Sequence, residues 1–324
     1  MKLSFDVMGH EGKLSDAIKA ARKLVAKHRE VQIILVGNKN QIEQIIQPNE
    51  FEILDCEQAI QMTDSPIEAL RKTNTSMYQA MKLVADHKAD GIFSAGSTQC
   101  FVSLLYFLIK PIKNGLKPCF LPFIPTLKKI PSGMCDVGAQ INCTGQDLYD
   151  FAKMAKIFFE EALNRKFPKV GLINIGTEAC KGYEFHKVAN DLLLNDKSFN
   201  YVGFVEPRYI FDGIVDIAIC DGYTGNLVLK SIEGGAKAVS EAFKAQYKKP
   251  WNWLGAMFSL AGILQVKKTF DYRNHAGAVV LGINAPAVKT HGSADFKQFY
   301  SGLETLYDLV KSDVTDKIKK ELLK

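Results

Sequence analysis

Short apolar runs alternate along the chain with longer segments in which apolar residues recur at helical spacing. The apolar runs predict strands at residues 3–8, 32–37, 51–56, 91–95, 119–125, 170–175, 201–205, 214–220 and 278–283. The longer segments predict helices, among them 16–28, 77–87, 99–108, 148–164 and 183–194. Strands that are apolar throughout are buried on both faces, so this alternation favours a mostly parallel sheet covered by helices on both sides.

The chain contains no internal repeat and no low-complexity linker. Residues 111–118 and 128–134 fit neither pattern, and the second stretch, KKIPSGM, predicts a flexible basic loop. A single α/β unit with two lobes, spanning residues 1–324, fits this organisation better than two independent domains.

The composition is that of an ordinary globular protein, with 324 residues, 47% hydrophobic and 23% charged. Lysine and arginine (41) exceed aspartate and glutamate (35), and the net charge of +6 suits an acidic ligand, an acidic partner or an anionic membrane surface. The seven cysteines form no C-x-x-C pair and the six histidines no H-E-x-x-H. The first residues lack a secretory apolar segment, so we expect a cytoplasmic protein with reduced thiols, no metal, no other cofactor and no nucleic-acid partner.

Small and polar residues gather where the predicted strands end. In open α/β sheets ligands bind beyond the carboxyl ends of the strands, and glycine turns with helix N-termini favour anions. The pattern therefore predicts a site for a phosphate-like group, although each glycine turn is equally an ordinary connection and each aspartate equally a cap for backbone N–H groups. The candidate residues are Asp6, Gly9, Ser94, Gly96, Thr98, Asp136, Asn174, Gly176, Glu178, Lys181, Gly182, Asp221, Gly222, Gly225, Asn226 and His291.

Several familiar catalytic motifs are absent from the sequence. It contains no G-x-G-x-x-G after a strand, no phosphate-binding P-loop and no G-x-S-x-G nucleophile elbow. Cys180 and His186 lie close in sequence but match no known nucleophile signature. We therefore expect a site that positions and polarises its reactants without a covalent nucleophile.

The motifs at the strand ends, taken in order, resemble the phosphate acyltransferase family, PlsX. They are FDVMG, SAGST, the PT pair at 125–126, DVGAQINC, LINIGTEACKG, DGYTGNLVLK and DYRNHAGAVVLGIN followed by HG, and they extend from residue 3 to residue 294. The sequence departs from the family pattern at His10, Glu11, Gln140, Asn142 and Thr144. The resemblance implies a three-layer α/β/α sandwich of the isopropylmalate dehydrogenase type and a homodimer.

The resemblance also implies a reaction. Inorganic phosphate attacks the thioester of acyl-(acyl carrier protein), giving free carrier protein and an acyl phosphate for phospholipid synthesis. We expect the turns at 176–182 and 222–226 to hold phosphate with backbone N–H groups, Lys181 to supply a cation and Asn226 to donate to the oxyanion or to phosphate. Asp221 would orient its turn, and His291 either protonates the leaving thiolate or is structural.

Two other functions remain open. One is a phosphate acetyl- or butyryltransferase that uses coenzyme A thioesters, and the other is a non-catalytic, membrane-bound scaffold for lipid enzymes. The donor that is accepted, and the formation of acyl phosphate itself, distinguish the three.

An uncharged stretch at 250–266, PWNWLGAMFSLAGILQV, lies within a helical protrusion expected near 230–270. Its 17 residues fall short of the roughly 20 that span a bilayer. It is a helix in a dimer interface, a helix lying in the membrane interface between flanking lysines, or a core helix. The residues that would contact the membrane or the partner are Trp251, Trp253, Leu254, Met257, Phe258 and Leu264.

Overall fold

The computed structural model describes residues 1–247 and 277–323, with the isolated residues Lys249, Trp251, Ser259, Gly262, Gln265 and Val266 between them. The strands are β1 Lys2–Asp6, β2 Gln32–Gly37, β3 Glu52–Asp55, β4 Gly91–Ser94, β5 Cys119–Leu121, β6 Phe123–Ile124, β7 Ser132–Cys135, β8 Lys169–Ile173, β9 Asn200–Val205, β10 Ile217–Ile219, β11 Ala278–Leu281 and β12 Ala287–Lys289. The α-helices are α1 Leu14–Lys27, α2 Lys39–Glu43, α3 Pro66–Arg71, α4 Ser76–Ala85, α5 Thr98–Leu104, α6 Gly145–Glu161, α7 Glu184–Asn195, α8 Gly222–Tyr247, α9 Phe296–Lys311 and α10 Val314–Leu322. A π-helical turn, Leu105–Ile109, continues α5, and a 3₁₀ helix spans Pro207–Asp212.

The strands form two sheets. The larger has the order β3-β2-β1-β4-β12-β11-β5, and the smaller has the order β6-β7-β10-β8-β9. Pairing is parallel except where β11 meets β12 and β5, and where β6 meets β7. Only Pro122 separates β5 from β6, so the chain passes directly from one sheet to the other. The predicted mostly parallel α/β architecture is confirmed.

Apolar side chains fill both faces of the larger sheet. On one face Phe5 and Phe93 lie with ring centroids 5.1 Å apart, and Phe299 of α9 packs 6.0 Å from Phe5. On the other face, side chains from α4 and α5 cover Ile34 and Ile92. Burial of both faces explains why these strands lack the polar alternation of a half-exposed sheet.

The prediction of a flexible loop over residues 128–134 is wrong at its end, because Ser132–Cys135 forms β7. This strand was hard to recognise because SGMC contains no β-branched or aromatic residue. Its small residues suit close packing, since a Cβ on Gly133 would lie 2.9 Å from the ring of Phe159. The sequence pattern also missed β12, and the predicted strand at 119–125 divides at Pro122 into β5 and β6.

Helix α8 extends away from the sheets. Its 26 residues make it about 39 Å long, yet only Gly222 and Gly225 are buried. The predicted protrusion therefore begins as an exposed helix. Trp251 is 78% exposed, whereas the predicted contact residues Trp253, Leu254, Met257, Phe258 and Leu264 lie outside the described residues. Within the described part of the chain, no helix is both long and apolar enough to cross a bilayer.

Candidate functional site

Three parallel strands of the larger sheet end in one row of polar residues. Asp6 of β1 pairs in register with Ser94 of β4, which pairs in turn with Lys289 of β12. The Ser94 hydroxyl donates to Asp6 Oδ2 over 2.7 Å. Burial raises the pKa of the Asp6 carboxyl to about 6, although its hydrogen bonds oppose the shift. The structure thus brings the predicted residues Asp6 and Ser94 together.

The loops that follow these strands lie side by side. Gly9 adopts a φ of 68°, and the next turn bonds to the β12 loop, where Glu11 N donates to Gly292 O over 2.8 Å. His291 is exposed, and its Nδ1 lies 3.3 Å from Ser293 Oγ. These contacts place the predicted residues Gly9 and His291 on neighbouring loops at the same edge of the sheet.

The loop after β4 contributes two further predicted residues. Gly96 N donates to Ser94 Oγ over 3.1 Å. A Cβ on Gly96 would lie 2.4 Å from Met77 Cε, so a larger residue here would displace the end of that methionine side chain. Thr98 opens α5 and is exposed beside this turn.

The smaller sheet presents a second edge of the same kind. Ile219 of β10 pairs with Cys135 of β7 and Leu172 of β8. The polar residues that follow these parallel strands therefore share one edge. They are the predicted site residues Asp136, Asn174 and Asp221.

Asp136 is a fully buried carboxylate that organises its own loop. Its Oδ1 accepts from Phe120 N over 2.8 Å, and its Oδ2 accepts from Ala139 N over 3.0 Å and Gln140 N over 2.6 Å. Burial raises the pKa of Asp136 to about 7 against these hydrogen bonds. Because Phe120 belongs to the larger sheet, this side chain ties the two sheets together. The structure gives Asp136 the capping role that the sequence left open beside ligand contact.

The predicted turn at 222–226 is the first turn of α8. Its N–H groups are largely occupied: Gly222 N donates to Gln140 O over 2.8 Å, Thr224 N to Asp221 Oδ1 over 2.9 Å and Gly225 N to Asp221 O over 2.9 Å. The expectation that these three groups cradle phosphate is therefore wrong. The bond from Thr224 shows that Asp221 caps the helix.

The glycines of this turn are small because the chain itself packs against them. A Cβ on Gly222 would lie 2.5 Å from Asp136 Oδ2 and 2.6 Å from Gln140 O. A Cβ on Gly225 would lie 2.0 Å from Asp136 O. The space beside both glycines is thus filled by the loop that follows β7.

Asn226 is the first polar side chain of α8 beyond this packed turn. It is half-buried, and a Cβ on Gly138 would lie 3.4 Å from its Cγ. Gly138 has a φ of 103°, which favours glycine. Among the residues that the structure describes, the Asn226 amide forms no hydrogen bond. It is therefore available to a ligand.

The loop after β8 is closed by Asn174. Its Nδ2 donates to Lys181 O over 3.2 Å, and its Oδ1 accepts from Ile175 N over 2.9 Å. Gly182 has a φ of 85°, and a Cβ there would lie 2.5 Å from Asn174 Oδ1. These bonds hold a compact turn that contains Gly176.

The charged side chains of this turn point outward. Lys181 and Glu178 are exposed and form no ion pair with any residue in the described ranges. The His186 ring accepts from Tyr183 N over 3.2 Å through Nδ1, and its pKa is lowered by burial against the opposing charge of Asp221. Within the described chain His186 forms no hydrogen bond with Cys180, so the pair that the sequence left open is not assembled.

Two residues at the larger sheet were not predicted. The ring of His10 packs edge-on against Phe299, with 5.1 Å between centroids, and both ring nitrogens are buried without a hydrogen-bond partner among the described residues. Burial lowers the pKa of His10, which favours the neutral ring.

The second residue that was not predicted is Lys289, which is only 8% exposed. A lysine at a strand end is ordinarily solvated, so there was little reason in the sequence to single out Lys289. Its position two residues before His291 was the one signal.

A cavity of about 280 Å³ lies at the end of β3. Burial, with a smaller contribution from the charge of Asp6, raises the pKa of the Cys56 thiol to about 11. Strand β2 separates β3 from β1, so the cavity lies one strand away from the row that contains Asp6. The cavity is lined by Leu54, Asp55, Cys56, Glu57, Gln58, Asn74 and Gln79.

The fold is that of a known class of α/β proteins. A branched-chain phosphotransacylase from Enterococcus faecalis V583 superposes with a TM-score of 0.60 at 16% identity, covering 96% of this chain and 99% of that one. A 4-hydroxythreonine-4-phosphate dehydrogenase from Klebsiella pneumoniae superposes with a TM-score of 0.57 at 10% identity, covering 95% and 99%. These similarities show the α/β/α sandwich shared by phosphotransacylases and such dehydrogenases.

The sequence comparison is more specific. The model of the family described as "Fatty acid synthesis protein" matches residues 1–317, and the chain belongs to this family. It is 45% identical to the phosphate acyltransferase of Malacoplasma penetrans (strain HF-2), over 100% of this chain and 98% of that relative. It is 42% identical to the phosphate acyltransferase of Mycoplasmoides gallisepticum, over 99% and 98%.

Proposed function

We propose that the protein transfers a fatty acyl group from the thioester of acyl carrier protein to inorganic phosphate. The similarity to phosphate acyltransferases over essentially their full length carries this proposal. In the reaction a phosphate oxygen forms a bond to the acyl carbon and the carbon–sulfur bond breaks. The thiolate leaves, takes up a proton and becomes the free carrier-protein thiol, while the acyl phosphate is available for phospholipid synthesis.

The side chains suited to charge stabilisation are Lys181 and Asn226. Lys181 is exposed on a closed turn without a competing ion pair within the described chain, so its ammonium is available to the incoming phosphate dianion. Asn226 offers an amide that bonds to no described group, so it is suited to donate to the thioester oxyanion or to phosphate. Removal of one well-aimed oxyanion donor typically lowers kcat by about 10²–10³.

The buried polar residues act by positioning. Asp136 holds the loop against which Gly222 and Gly225 pack, and Asp221 caps the helix that carries Asn226. Asn174 closes the turn that carries Lys181. Orientation of reactants by such rigid supports contributes up to about 7–11 kcal/mol in favourable reactions.

We expect the remaining predicted residues to form the rest of the binding surface. Asp6, Ser94, Gly96, Thr98 and Gly9 form the wall at the larger sheet, while Gly176, Glu178 and Gly182 belong to the turn of Lys181. His291 is exposed on the β12 loop, and we expect it to give a proton to the departing thiolate. A thiolate is a good leaving group, so we expect His291 to contribute less than Asn226.

We further propose that the protein is a cytoplasmic homodimer that contacts membranes peripherally through residues 250–266. The exposed outer part of α8 supports this proposal, because it carries Val239 at 57% and Phe243 at 55% exposure, four residues apart on one face. Trp251, 78% exposed, is suited to a lipid headgroup region or to a partner chain.

The proposal is tested by mass detection of acyl phosphate from purified protein, phosphate and either acyl-carrier protein or acyl-coenzyme A. We expect acyl phosphate with a preference for the carrier protein. The variants Asn226→Ala and Lys181→Ala should lose turnover at saturating phosphate, whereas Lys197→Ala, an exposed lysine on another loop, should match the wild type. A preference for acyl-coenzyme A would show that the protein is instead a coenzyme A-dependent phosphate acyltransferase. Absence of acyl phosphate with both donors would refute the function.

A further inference from the structure

Lys289 is a buried lysine without a carboxylate partner in the described ranges of the chain. It is the last residue of β12 and is 8% exposed. Its Nζ donates to Thr290 O over 2.8 Å, and it forms no ion pair with any described residue. The acid in the same row of strand ends, Asp6, is already bound by Ser94 Oγ and by Met8 N. No described residue therefore neutralises the Lys289 ammonium.

An unpaired buried ammonium is costly, and a second positive charge increases the cost here. Burial, with a smaller contribution from the charge of Lys230, lowers the pKa of Lys289 to about 8. The ammonium nevertheless stays mainly protonated at neutral pH. Lys230 is exposed on α8 and likewise forms no ion pair with the described residues. Two cations whose charges repel, and that pair with no acid among the described residues, are the arrangement that an anion would stabilise.

The face of α8 connects Lys230 with the catalytic candidate Asn226. Gly222, Asn226 and Lys230 are spaced by four residues and therefore lie on one stripe of the helix. Gly222 packs on the loop of Asp136, and Asn226 lies against that loop at Gly138. One turn further along, the charge of Lys230 acts on Lys289. The stripe therefore carries Lys230 on the same side of α8 as Asn226.

A further polar atom beside Lys289 is unused. Thr290 is 5% exposed, and its Oγ1 is buried without a hydrogen-bond partner among the described residues. Its backbone N donates to Ser94 O over 3.1 Å, which fixes the residue against β4. A hydroxyl can donate to a phosphate oxygen.

We propose that Lys289, with Lys230 and the Thr290 hydroxyl, binds the phosphate dianion that accepts the acyl group, between α8 and the end of β12. This inference rests on the proposed function, and it adds a binding subsite to the Lys181 and Asn226 site. The same chemistry would suit the phosphodiester of a pantetheine arm. The proposal commits to inorganic phosphate. Replacement of Lys289 or Lys230 should therefore leave the KM for the acyl donor unchanged.

The test compares Lys289→Met, Lys289→Arg and Lys230→Met with the wild type and with Lys156→Met. Lys156 is the control because it is a partly buried lysine whose Nζ lies 3.1 Å from Glu160 Oε2. Methionine keeps an unbranched side chain of similar length at the buried position, and Lys230 is exposed, so its replacement does not disturb a core. The KM values for phosphate and for the acyl donor are measured separately. Thermal melting with and without inorganic phosphate provides a second readout that needs no acyl donor.

We expect Lys289→Met to raise the KM for phosphate about tenfold or more, as the loss of a charged hydrogen bond predicts. Lys230→Met should raise it less, Lys289→Arg should restore part of the loss, and Lys156→Met should match the wild type. Phosphate should raise the melting temperature of the wild type but not that of Lys289→Met.

Three results would overturn the subsite: an unchanged phosphate KM in both Lys289→Met and Lys230→Met, a raised KM for the acyl donor alone, or a melting temperature that phosphate does not raise in the wild type. A wild type that forms no acyl phosphate, yet is stabilised by phosphate through Lys289, would refute the proposed function and support the subsite.

Discussion

Replacement of Lys289 by methionine is expected to stabilise the protein at neutral pH while it weakens phosphate binding. The pKa of this lysine falls from 10.5 to about 8 on folding, which corresponds to a cost of about 3 kcal/mol for holding the buried charge. The substitution also removes the hydrogen bond to Thr290 O, worth about 1 kcal/mol. The net expectation is a gain of about 2 kcal/mol in the free energy of unfolding at pH 7.

The pH dependence gives a sharper form of the same test. The folded-state pKa lies below the unfolded-state value, so the cost is fully present below pH 8 and is relieved as the pH rises toward 10.5. The wild type should therefore gain stability relative to Lys289→Met across that interval. The advantage of the variant at pH 7 should disappear.

The assay is urea unfolding of both proteins at pH 7 and pH 9.5, without phosphate. Lys156→Met is the control, and it should gain no stability at pH 7 because Lys156 is paired with Glu160. A Lys289→Met variant that is less stable than the wild type at pH 7, or an advantage that does not change with pH, would refute the reasoning.

Three other predictions concern the supports of the site and its outer helix. Gly225→Ala should cost about 3 kcal/mol of stability, because the new Cβ would lie 2.0 Å from Asp136 O; a loss in urea unfolding no larger than that of an exposed-surface substitution would contradict this packing. Asp221→Ala should cost about 1 kcal/mol through loss of the cap on Thr224 N, and an unchanged unfolding midpoint would argue against that cap. Trp251→Glu should reduce flotation with anionic liposomes, and flotation equal to that of the wild type would remove this residue from the membrane contact.

The amino-acid sequence was sufficient to predict the alternating elements because their signals are local. Gln32–Gly37 was predicted with its observed bounds, since an unbroken apolar run, Ile33–Val36, forms its centre. The strand Ser132–Cys135 was missed because its burial depends on the ring of Phe159, which is distant in sequence. Such a small-residue strand carries no local hydrophobic pattern.

The candidate site was predictable to a similar extent. Strand ends located Asp6, Ser94 and Asp136 at sheet edges, because parallel strands bring their carboxyl ends together. The sequence could not show that the loop after Asp136 fills the space beside Gly225, since that contact joins distant segments. It also could not show that Lys289 is buried, because that burial depends on strands that are distant in the sequence.

The central claim is that inorganic phosphate is the acceptor of an acyl group, and its most direct test is the release of carrier-protein thiol. Purified protein is incubated with acyl-carrier protein while the phosphate concentration is varied, and free thiol and acyl phosphate are quantified together. We predict thiol release that requires phosphate, saturates with it and yields one acyl phosphate per thiol. Thiol release that is independent of phosphate and yields free fatty acid would contradict the account.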